Sequence, residues 1–194
     1  MTSTKKMHVK LLFAAFSLIT GCAPAPVVPE PTPEPGSTTV YLVRHAEKAN
    51  LREVDPSISE EGQARAKALA SRLGAAGVAA ILTTQFRRTQ ETAEPLATTL
   101  GVTPEIVHAG RVGDTDSTLA AVLRHRGKKV LVVGHSKTIP PLIQALGGPK
   151  LPDICESQYS NLFIVYLPPS GSSQMVRQTY GKADPPLGAG CSSL

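Results

Sequence analysis

Hydrophobic positions between residues 39 and 180 follow two spacings that alternate along the chain, and each spacing predicts one kind of element. Runs of β-branched and apolar residues predict strands at 39–43, 79–84, 105–108, 129–133, 161–167 and 174–180. Apolar residues at helical spacing predict helices at 59–73, 86–100, 117–126 and 138–146. Repeated strand–helix units favour an α/β fold, a three-layer α/β/α sandwich whose mostly parallel sheet is covered on both faces.

Short signals mark the ends of the predicted helices. Ser57 or Ser59, followed by Glu60 and Glu61, has the chemistry of a helix start. A glycine ends the helix predicted at 86–100, and Pro95 is expected to kink or interrupt that helix.

The first 21 residues have the pattern of an export signal rather than of a folded segment. Three lysines precede an apolar run at 11–19, which is about half the length that spans a bilayer. Residues 19–22 (ITGC) resemble a bacterial lipobox, in which cleavage precedes the cysteine, and Cys22 is the predicted lipidation site. The proline-rich residues 22–37 predict a tether, residues 38–182 one domain, and residues 183–194 a C-terminal tail.

Charge and cysteine content change this picture only slightly. Removal of the signal leaves 17 basic and 15 acidic side chains, a balance that gives no support to nucleic-acid binding. Beyond Cys22 the chain has two cysteines, Cys155 and Cys191. In an exported protein they form either a disulfide or two free thiols, and the sequence leaves both possibilities open.

Two of the predicted strands lead directly into histidines. The first is followed by Arg44 and His45, and the fourth by Gly134 and His135. Ligands of open α/β sheets bind outside the carboxyl ends of the strands, so these side chains share one crevice if the strands are neighbours. The second strand leads to Arg88 at the start of a helix, and we expect this arginine at the same edge.

Arginine and neutral histidine together suit the transfer of a phosphoryl group. Guanidinium groups match phosphate oxygens in paired hydrogen bonds and stay charged at any working pH. Neutral imidazole attacks phosphorus and forms a phosphoramidate, which water then hydrolyses. Fixed donors that stabilise the transferring group supply the main catalytic effect. The scheme needs no metal and no cofactor, and the strand ends lack the aspartate-rich sets that hold Mg²⁺.

Three sequence blocks resemble the histidine phosphatase superfamily, the phosphoglycerate-mutase-like group of branch 1. Residues 43–48 (VRHAEK) are similar to its Arg-His-Gly signature, with Ala46 where glycine is commonest. Residues 83–93 (TTQFRRTQETA) are similar to the second block and residues 133–136 (VGHS) to the third. The blocks occur in the family's order, and the resemblance, which covers residues 39–180, implies a phosphoglycerate-mutase-like fold.

The resemblance implies a role for each matching residue. His45 is the expected phosphorylated nucleophile, and Arg44 and Arg88 are the expected phosphate clamps. His135 is the second histidine, which contacts the phosphate and favours its transferring form. Arg88 is preferred over Arg87 because the family's arginine directly precedes the small residue of the second block.

The general acid departs from the family's pattern. Many members have a glutamate after the third strand that protonates the leaving oxygen, and this region here contains Asp114 and Asp116 instead. Either aspartate could serve as the acid, with Asp114 preferred, and either could equally cap the following helix. Glu47 is a lower-ranked alternative.

These observations predict a metal-independent phosphatase that hydrolyses phosphate monoesters through a phosphohistidine at the cell envelope. The expected partners are a small phosphorylated substrate, such as a sugar phosphate or a phosphorylated sugar of the envelope, and the membrane through the lipid anchor. The oligomeric state is not predicted. Two alternatives stay open: a phosphatase acting on phosphohistidine in proteins, which fits the missing glutamate, and an inactive lipoprotein that binds phosphate.

We predict that Cys22 is the acylated amino terminus of the mature chain. Ala23 follows it, and the absence of aspartate there indicates, by resemblance to Gram-negative sorting, the periplasmic face of the outer membrane. Cys22→Ala should leave the precursor unprocessed or release the protein from membranes, as measured by fractionation and by the mass of the chain. Processing to the same size with retained membrane binding would contradict the prediction.

Overall fold

The computed structural model describes residue 1 and residues 32–110, 114–188, 191–192 and 194. Residues 2–21 of the predicted signal peptide, Cys22 and most of the predicted tether lie outside the described residues. Within them the chain forms a mixed sheet of six strands covered by four helices. None of the described helices is long and apolar enough to cross a bilayer.

Strands and helices alternate up to the last helix and are followed by a hairpin. The strands are β1 (Thr38–Arg44), β2 (Val78–Thr83), β3 (Glu105–Ile106), β4 (Lys129–Gly134), β5 (Asn161–Leu167) and β6 (Gln174–Thr179). The helices are α1 (Glu60–Leu73), α2 (Arg87–Leu100), α3 (Asp114–Leu123) and α4 (Ile139–Ala145).

The sheet has the strand order β3-β2-β4-β1-β5-β6. The first four strands of this order are parallel, with β4 paired to both β1 and β2. β5 is antiparallel to β1, and β6 is antiparallel to β5. The predicted mostly parallel sheet is confirmed, and β1 and β4, which lead to the two histidines, are direct neighbours.

Two apolar cores lie on opposite faces of the sheet because successive side chains of a strand alternate between the faces. Leu42 of β1 belongs to the core that includes Ile143 of α4. Val43, the next residue, belongs to the core that includes Leu69 of α1 and Leu96 of α2. Helices α1 and α2 thus cover one face, with α3 and α4 on the other, and the predicted three-layer sandwich is confirmed.

The structure corrects several details of the predicted elements. α3 spans Asp114–Leu123 where 117–126 was predicted, and β3 contains only Glu105–Ile106 where 105–108 was predicted. α2 is continuous through Pro95, where an interruption was one of two expectations. The proline removes one hydrogen bond of the helix, but Leu96 and Ala97 beside it are buried against the sheet. Their burial offsets the loss.

The start of α1 packs against the segment that follows β1. Ser59 is the N-cap residue, and its hydroxyl accepts from the backbone N–H of Gly62 at 3.1 Å. A Cβ atom on Gly62 would lie 2.5 Å from the carbonyl oxygen of Glu47, so this approach requires glycine. The buried Arg65 donates through Nε to both carboxylate oxygens of Glu47, at 2.8 and 3.0 Å. Helix α1 therefore fixes the backbone just beyond β1.

The predicted tail is fastened to the loop that precedes β5. Asp184 Oδ1 accepts hydrogen bonds from the backbone N–H groups of Tyr159 and Ser160, at 2.8 and 3.0 Å. Cys155 and Cys191 form a disulfide with their Cα atoms 5.7 Å apart. These contacts tie the tail to residues 155–160.

We predict that mature protein purified without reductant has no free thiol from Cys155 or Cys191. The bond joins positions 36 residues apart, and closing a loop of that length stabilises a fold by about 3–4 kcal/mol in the chain-entropy model. Thiol counting on denatured, unreduced protein checks the bond, and denaturant unfolding with and without reductant checks the energetic effect. Two titratable thiols per mature chain would rule the disulfide out.

Candidate active site

β1 and β4 end side by side and place two histidines at one edge of the sheet. The backbone N–H of His45 donates to the Gly134 carbonyl oxygen at 2.9 Å, which extends the parallel pairing to the end of both strands. The imidazole rings of His45 and His135 have centroids 5.4 Å apart in an edge-to-face arrangement. The structure therefore brings together the two histidines that the sequence analysis assigned to one crevice.

The ring of His45 is only 4% exposed and is oriented by the backbone. Its Nδ1 atom lies 2.8 Å from the carbonyl oxygen of Ala46. A carbonyl oxygen can only accept a hydrogen bond, so Nδ1 carries the proton and the neutral ring keeps its lone pair on Nε2. Nε2 is therefore the nitrogen available to attack phosphorus.

Thr92 ties the segment that carries His45 to helix α2. The Thr92 hydroxyl accepts from the backbone N–H of Ala46 at 2.9 Å and donates to the carbonyl oxygen of Arg88 at 2.6 Å. Thr92 is completely buried. The nucleophile's backbone and the helix that bears Arg88 are thus held in a fixed relation.

A chain of hydroxyl groups holds His135. The Thr89 hydroxyl donates to the Phe86 carbonyl oxygen at 2.8 Å and is hydrogen-bonded to the Thr84 hydroxyl, with the two oxygens 2.9 Å apart. The Thr84 hydroxyl is in turn hydrogen-bonded to His135 Nε2 at 3.1 Å. The ring of Phe86 packs edge-to-face on His135, with centroids 5.5 Å apart. This network fixes the position of the second imidazole.

Arg88 lies in the first turn of α2 with its side chain only 14% exposed. Its guanidinium carbon stacks 4.3 Å from the centroid of the Phe86 ring, and its Nη1 lies 3.5 Å from Asp55 Oδ1. Nη1 is buried and makes no hydrogen bond with any residue that the structure describes.

Arg44 is 2% exposed, and the loop before β5 surrounds its guanidinium. Nη1 donates to the carbonyl oxygens of Cys155 and Gln158, at 2.7 and 3.1 Å. Nη2 donates to Glu156 Oε2 at 2.6 Å and to the Tyr159 hydroxyl at 3.5 Å. The guanidinium carbon also lies 4.2 Å from the centroid of the Tyr159 ring. The fifth donor, Nε, is buried and has no acceptor within the described part of the chain.

Two buried donors of these arginines, Arg44 Nε and Arg88 Nη1, therefore make no hydrogen bond with the described residues, and the carboxylate of Asp55 lies 3.5 Å from the second. A buried donor left unpaired costs about 1–3 kcal/mol, and more for a charged group, unless a ligand satisfies it. Lys48 adds a third cation, with Nζ 3.9 Å from Glu156 Oε2, and its charge acts on His135. The arrangement is suited to an oxyanion such as a phosphate dianion.

Both histidines are neutral at neutral pH. Burial lowers the pKa of His45 to about 3; the Ala46 carbonyl opposes this shift and the charge of Arg44 adds to it. Burial likewise lowers the pKa of His135 to about 4, with further lowering by Arg88 and Arg44. Attack on phosphorus needs a neutral imidazole beside fixed positive charge, and these pKa values provide it.

Arg87, the arginine that the sequence analysis set aside, lies at the surface. Its side chain is 58% exposed and is paired with Glu91 of the next helical turn and with Ser57. Its backbone N–H donates to Asp55 Oδ1 at 3.0 Å. The cation that α2 contributes to the site is thus Arg88.

The candidates for the general acid occupy different surroundings. The Glu47 carboxylate is committed to Arg65 through hydrogen bonds and a salt bridge of 2.7 Å. Asp116 is exposed in the first turn of α3. Asp114 is the first residue of that helix, and its side chain lies outside the described part of the structure. Asp114 and Asp116 stay predictions.

Several further side chains contact the site and were not predicted for it. Thr84 contacts His135, and Thr92 contacts the backbone beside His45. Both threonines lie in the second block, residues 83–93, so the resemblance of that block could have indicated them. Asp55 and Glu156 pair with the two clamping arginines, and Tyr159 stacks on one of them. These three come from loops, where no spacing or motif distinguishes them from other polar residues.

The sequence of this chain matches one of the known protein families over part of its length. Residues 40–111 match the model of the histidine phosphatase superfamily (branch 1). No protein of curated function matches the sequence.

Solved structures of phosphatases share the fold. The mycobacterial glucosyl-3-phosphoglycerate phosphatase matches with a TM-score of 0.57 at 16% identity, over 76% of this chain and 100% of that one. Its complex with inorganic phosphate matches with a TM-score of 0.54 at 17% identity, over 75% and 97% of the two chains. The protein histidine phosphatase SixA complexed with tungstate matches with a TM-score of 0.57 at 19% identity, over 73% and 96%. At these identities the likeness shows a common phosphoglycerate-mutase-like fold.

We predict that His45 and His135 stay neutral down to about pH 5, well below the ordinary histidine pKa of about 6.5. The folded-state pKa values are lowered, to about 3 and about 4, so the unfolded chain binds protons first as the pH falls. The free energy of unfolding should therefore decrease from about pH 6.5 towards pH 4. NMR titration of the imidazole nitrogens and denaturant unfolding at several pH values measure the two effects.

His135→Gln serves as the comparison for this prediction. The substitution removes one of the two shifted groups, so the fall in stability between those pH values should be smaller than in the wild-type protein. Either ring titrating near pH 6.5 in the folded protein would contradict the prediction.

Proposed function

We propose that this protein is a phosphatase that hydrolyses phosphate monoesters through a phosphohistidine at His45. The proposal rests on two buried guanidinium nitrogens, Arg44 Nε and Arg88 Nη1, that make no hydrogen bond with the described residues. Beside them lies the neutral imidazole of His45, whose lone pair is on Nε2. The family match and the phosphatases that share the fold support phosphatase activity.

In the first step Nε2 of His45 attacks phosphorus, and the N–P bond forms as the bond to the leaving oxygen breaks. Arg44 and Arg88 hold the non-bridging oxygens and stabilise the charge that they carry in the transition state. His135 contacts the phosphoryl group from the neighbouring strand. An alkoxide leaving group requires a proton, and Asp114 is the proposed donor.

In the second step water attacks the phosphohistidine and gives one proton to the carboxylate of Asp114, which restores the acid. The P–N bond breaks, and its electron pair returns to Nε2. The hydrogen bond from Nδ1 to the Ala46 carbonyl keeps the ring orientation and tautomer through both steps. Inorganic phosphate then leaves, and the ring is ready for the next substrate. The arginines serve both displacements because the same phosphoryl group is transferred twice.

The proposed chemistry needs no metal ion. Arg44, Arg88 and Lys48 supply the positive charge that Mg²⁺ provides in other phosphoryl-transfer sites. Over the residues that the structure describes, no group of three or more His, Cys, Asp and Glu side chains is placed to hold a metal ion. Activity should therefore persist in EDTA.

The proposed substrate class is a small phosphate monoester, such as a sugar phosphate of the cell envelope. A phosphatase of glucosyl-3-phosphoglycerate shares the fold and has been solved with inorganic phosphate, which supports a small phosphorylated substrate. The envelope location rests on the predicted lipid anchor at Cys22 and the proline-rich residues 22–37. The tether would hold the domain close to substrates at the membrane surface.

A second candidate is a phosphatase acting on phosphohistidine in proteins. SixA, a protein histidine phosphatase, shares the fold to the same degree as the sugar-phosphate enzyme. The residues that follow β3, 107–110, contain no carboxylate, and a phosphohistidine leaving group needs an acid less than an alkoxide does. Comparison of the two substrate classes on one preparation separates the candidates.

We predict that His45→Ala loses activity by several powers of ten, since it removes the nucleophile. Arg88→Ala should weaken both substrate binding and turnover, because the same guanidinium holds the ground state and the transition state. The soluble domain, starting near residue 37, is assayed against a panel of phosphate esters. Rapid quench with labelled substrate, followed by alkaline peptide mapping, should place the label on His45.

His125→Ala is the matched control for the nucleophile. His125 contacts Glu105 of the edge strand β3, which β2 separates from β4 and its histidine, so its removal should leave turnover unchanged. Label on a serine or aspartate, or full activity of His45→Ala, would contradict the phosphohistidine mechanism. Phosphate binding without turnover on any ester would favour the inactive binding lipoprotein.

A further inference from the structure

A single loop, residues 155–159, engages four of the five N–H groups of Arg44. Both hydrogens of Nη1 have carbonyl acceptors, from Cys155 and Gln158. Both hydrogens of Nη2 have side-chain acceptors, from Glu156 and Tyr159. Only Nε is left over, and it is the donor that lacks an acceptor among the described residues. The loop therefore decides which edge of the guanidinium is free for a ligand.

The 155–159 loop is itself fixed at both ends. Before it, the buried Ile154 donates its backbone N–H to the Ser136 carbonyl oxygen at 3.1 Å. Cys155 is bonded to Cys191, and Asp184 accepts from the backbone of Tyr159 at 2.8 Å. A loop anchored in this way can hold a guanidinium in one orientation, whereas a mobile loop could not.

Glu156 is the charged partner that this loop gives to Arg44. Its Oε2 accepts from Arg44 Nη2 at 2.6 Å, and its Oε1 accepts from the hydroxyl of Ser136 at 3.1 Å. Ser136 directly follows His135, so one carboxylate connects the clamp of β1 to the segment of the second histidine. Although partial burial alone would raise the pKa of Glu156, Arg44, Ser136 and Lys48 hold it below its usual value.

We propose that Glu156 is a positioning residue, which holds Nη2 of Arg44 so that Nε alone points to the transferring phosphoryl group. The proposal rests on the proposed function, because it assigns Arg44 Nε to the phosphate of the substrate. Glu156 acts through Arg44. Its side chain is 69% exposed, so the charge is available to the arginine without the cost of full burial.

If Glu156 instead competed with the substrate for Arg44, its removal would have the opposite effect. A carboxylate between Arg44, Ser136 and Lys48 could occupy part of the anion site and compete with substrate. Removal of a competitor would raise the affinity for phosphate and lower KM. Removal of a positioning residue lowers kcat/KM, because a misdirected guanidinium no longer meets the transition state.

A double-mutant cycle between Arg44 and Glu156 tests the proposal. Glu156→Ala removes the carboxylate, Glu156→Gln keeps an acceptor without the charge, and Arg44→Lys removes the guanidinium fork. Glu156→Ala should lower kcat/KM by about tenfold or more, and Glu156→Gln should recover part of this loss. In the Arg44→Lys background, Glu156→Ala should change kcat/KM by less than about threefold, since its target is gone. Thermal unfolding confirms that each variant is folded.

Glu105→Gln is the matched control for the change of charge. Glu105 also pairs with an arginine, Arg124, but it lies on the edge strand β3, which β2 separates from β4 and His135. It should leave kcat/KM unchanged. Equal losses from Glu156→Ala in both backgrounds, no loss in either, or a lower KM would each overturn the proposal.

Binding of inorganic phosphate, measured by calorimetry, separates this proposal from the proposed function. If the protein hydrolyses no ester, the phosphatase assignment is refuted. The affinity for inorganic phosphate still measures whether Glu156 positions Arg44. Glu156→Ala should weaken that affinity in the wild-type background and leave it unchanged in Arg44→Lys. Unchanged or tighter binding by Glu156→Ala would overturn the positioning role whatever the activity.

Discussion

The burial of the Arg44 guanidinium at the end of β1 is the constraint on which the rest of the site depends. A cation removed from water costs several kcal/mol unless hydrogen bonds and opposite charge compensate it. The strand can supply neither, because its own backbone groups pair with β4 and β5. The compensation comes from the 155–159 loop, with two carbonyl groups, one carboxylate and one aromatic face. The disulfide and Asp184 hold this loop in place, and the loop holds Arg44, so both act on the site through the Arg44 side chain.

The same burial sets the protonation of the histidines. His45 and His135 share their edge of the sheet with cations, and an imidazolium there would be both desolvated and repelled. Both effects favour the neutral ring, which is the nucleophilic form. The backbone then selects the nitrogen, since the Ala46 carbonyl keeps the proton on Nδ1 of His45. Long-range packing thus sets the protonation state of His45, and the local backbone sets its tautomer.

The order of the elements could be predicted from sequence because it depends on local periodicity, and every predicted helix and strand occurs. The crevice could be predicted too, because parallel strands that end in His45 and His135 open on one edge, and β1 and β4 proved to be neighbours. The unbroken α2 could not, because the burial that offsets Pro95 comes from residues distant in sequence. Glu156 and Asp55 escaped prediction for a similar reason: their partners come from other elements, and an exposed loop carboxylate has no distinguishing pattern.

The carboxylates beside the two clamping arginines bear on the release of product. Glu156 pairs with Arg44 and Asp55 with Arg88, and Lys48 adds one more positive charge. Each carboxylate lowers the net positive charge that a dianion meets, but it also holds a guanidinium in one geometry, so less conformational freedom is lost when phosphate binds. Guanidinium hydrogen bonds to phosphate depend on direction, and a misdirected donor loses its contact with both the ground state and the transition state. The fixed orientation therefore outweighs the reduced charge, and the phosphate that leaves after each cycle departs from a site whose donors keep their positions for the next substrate.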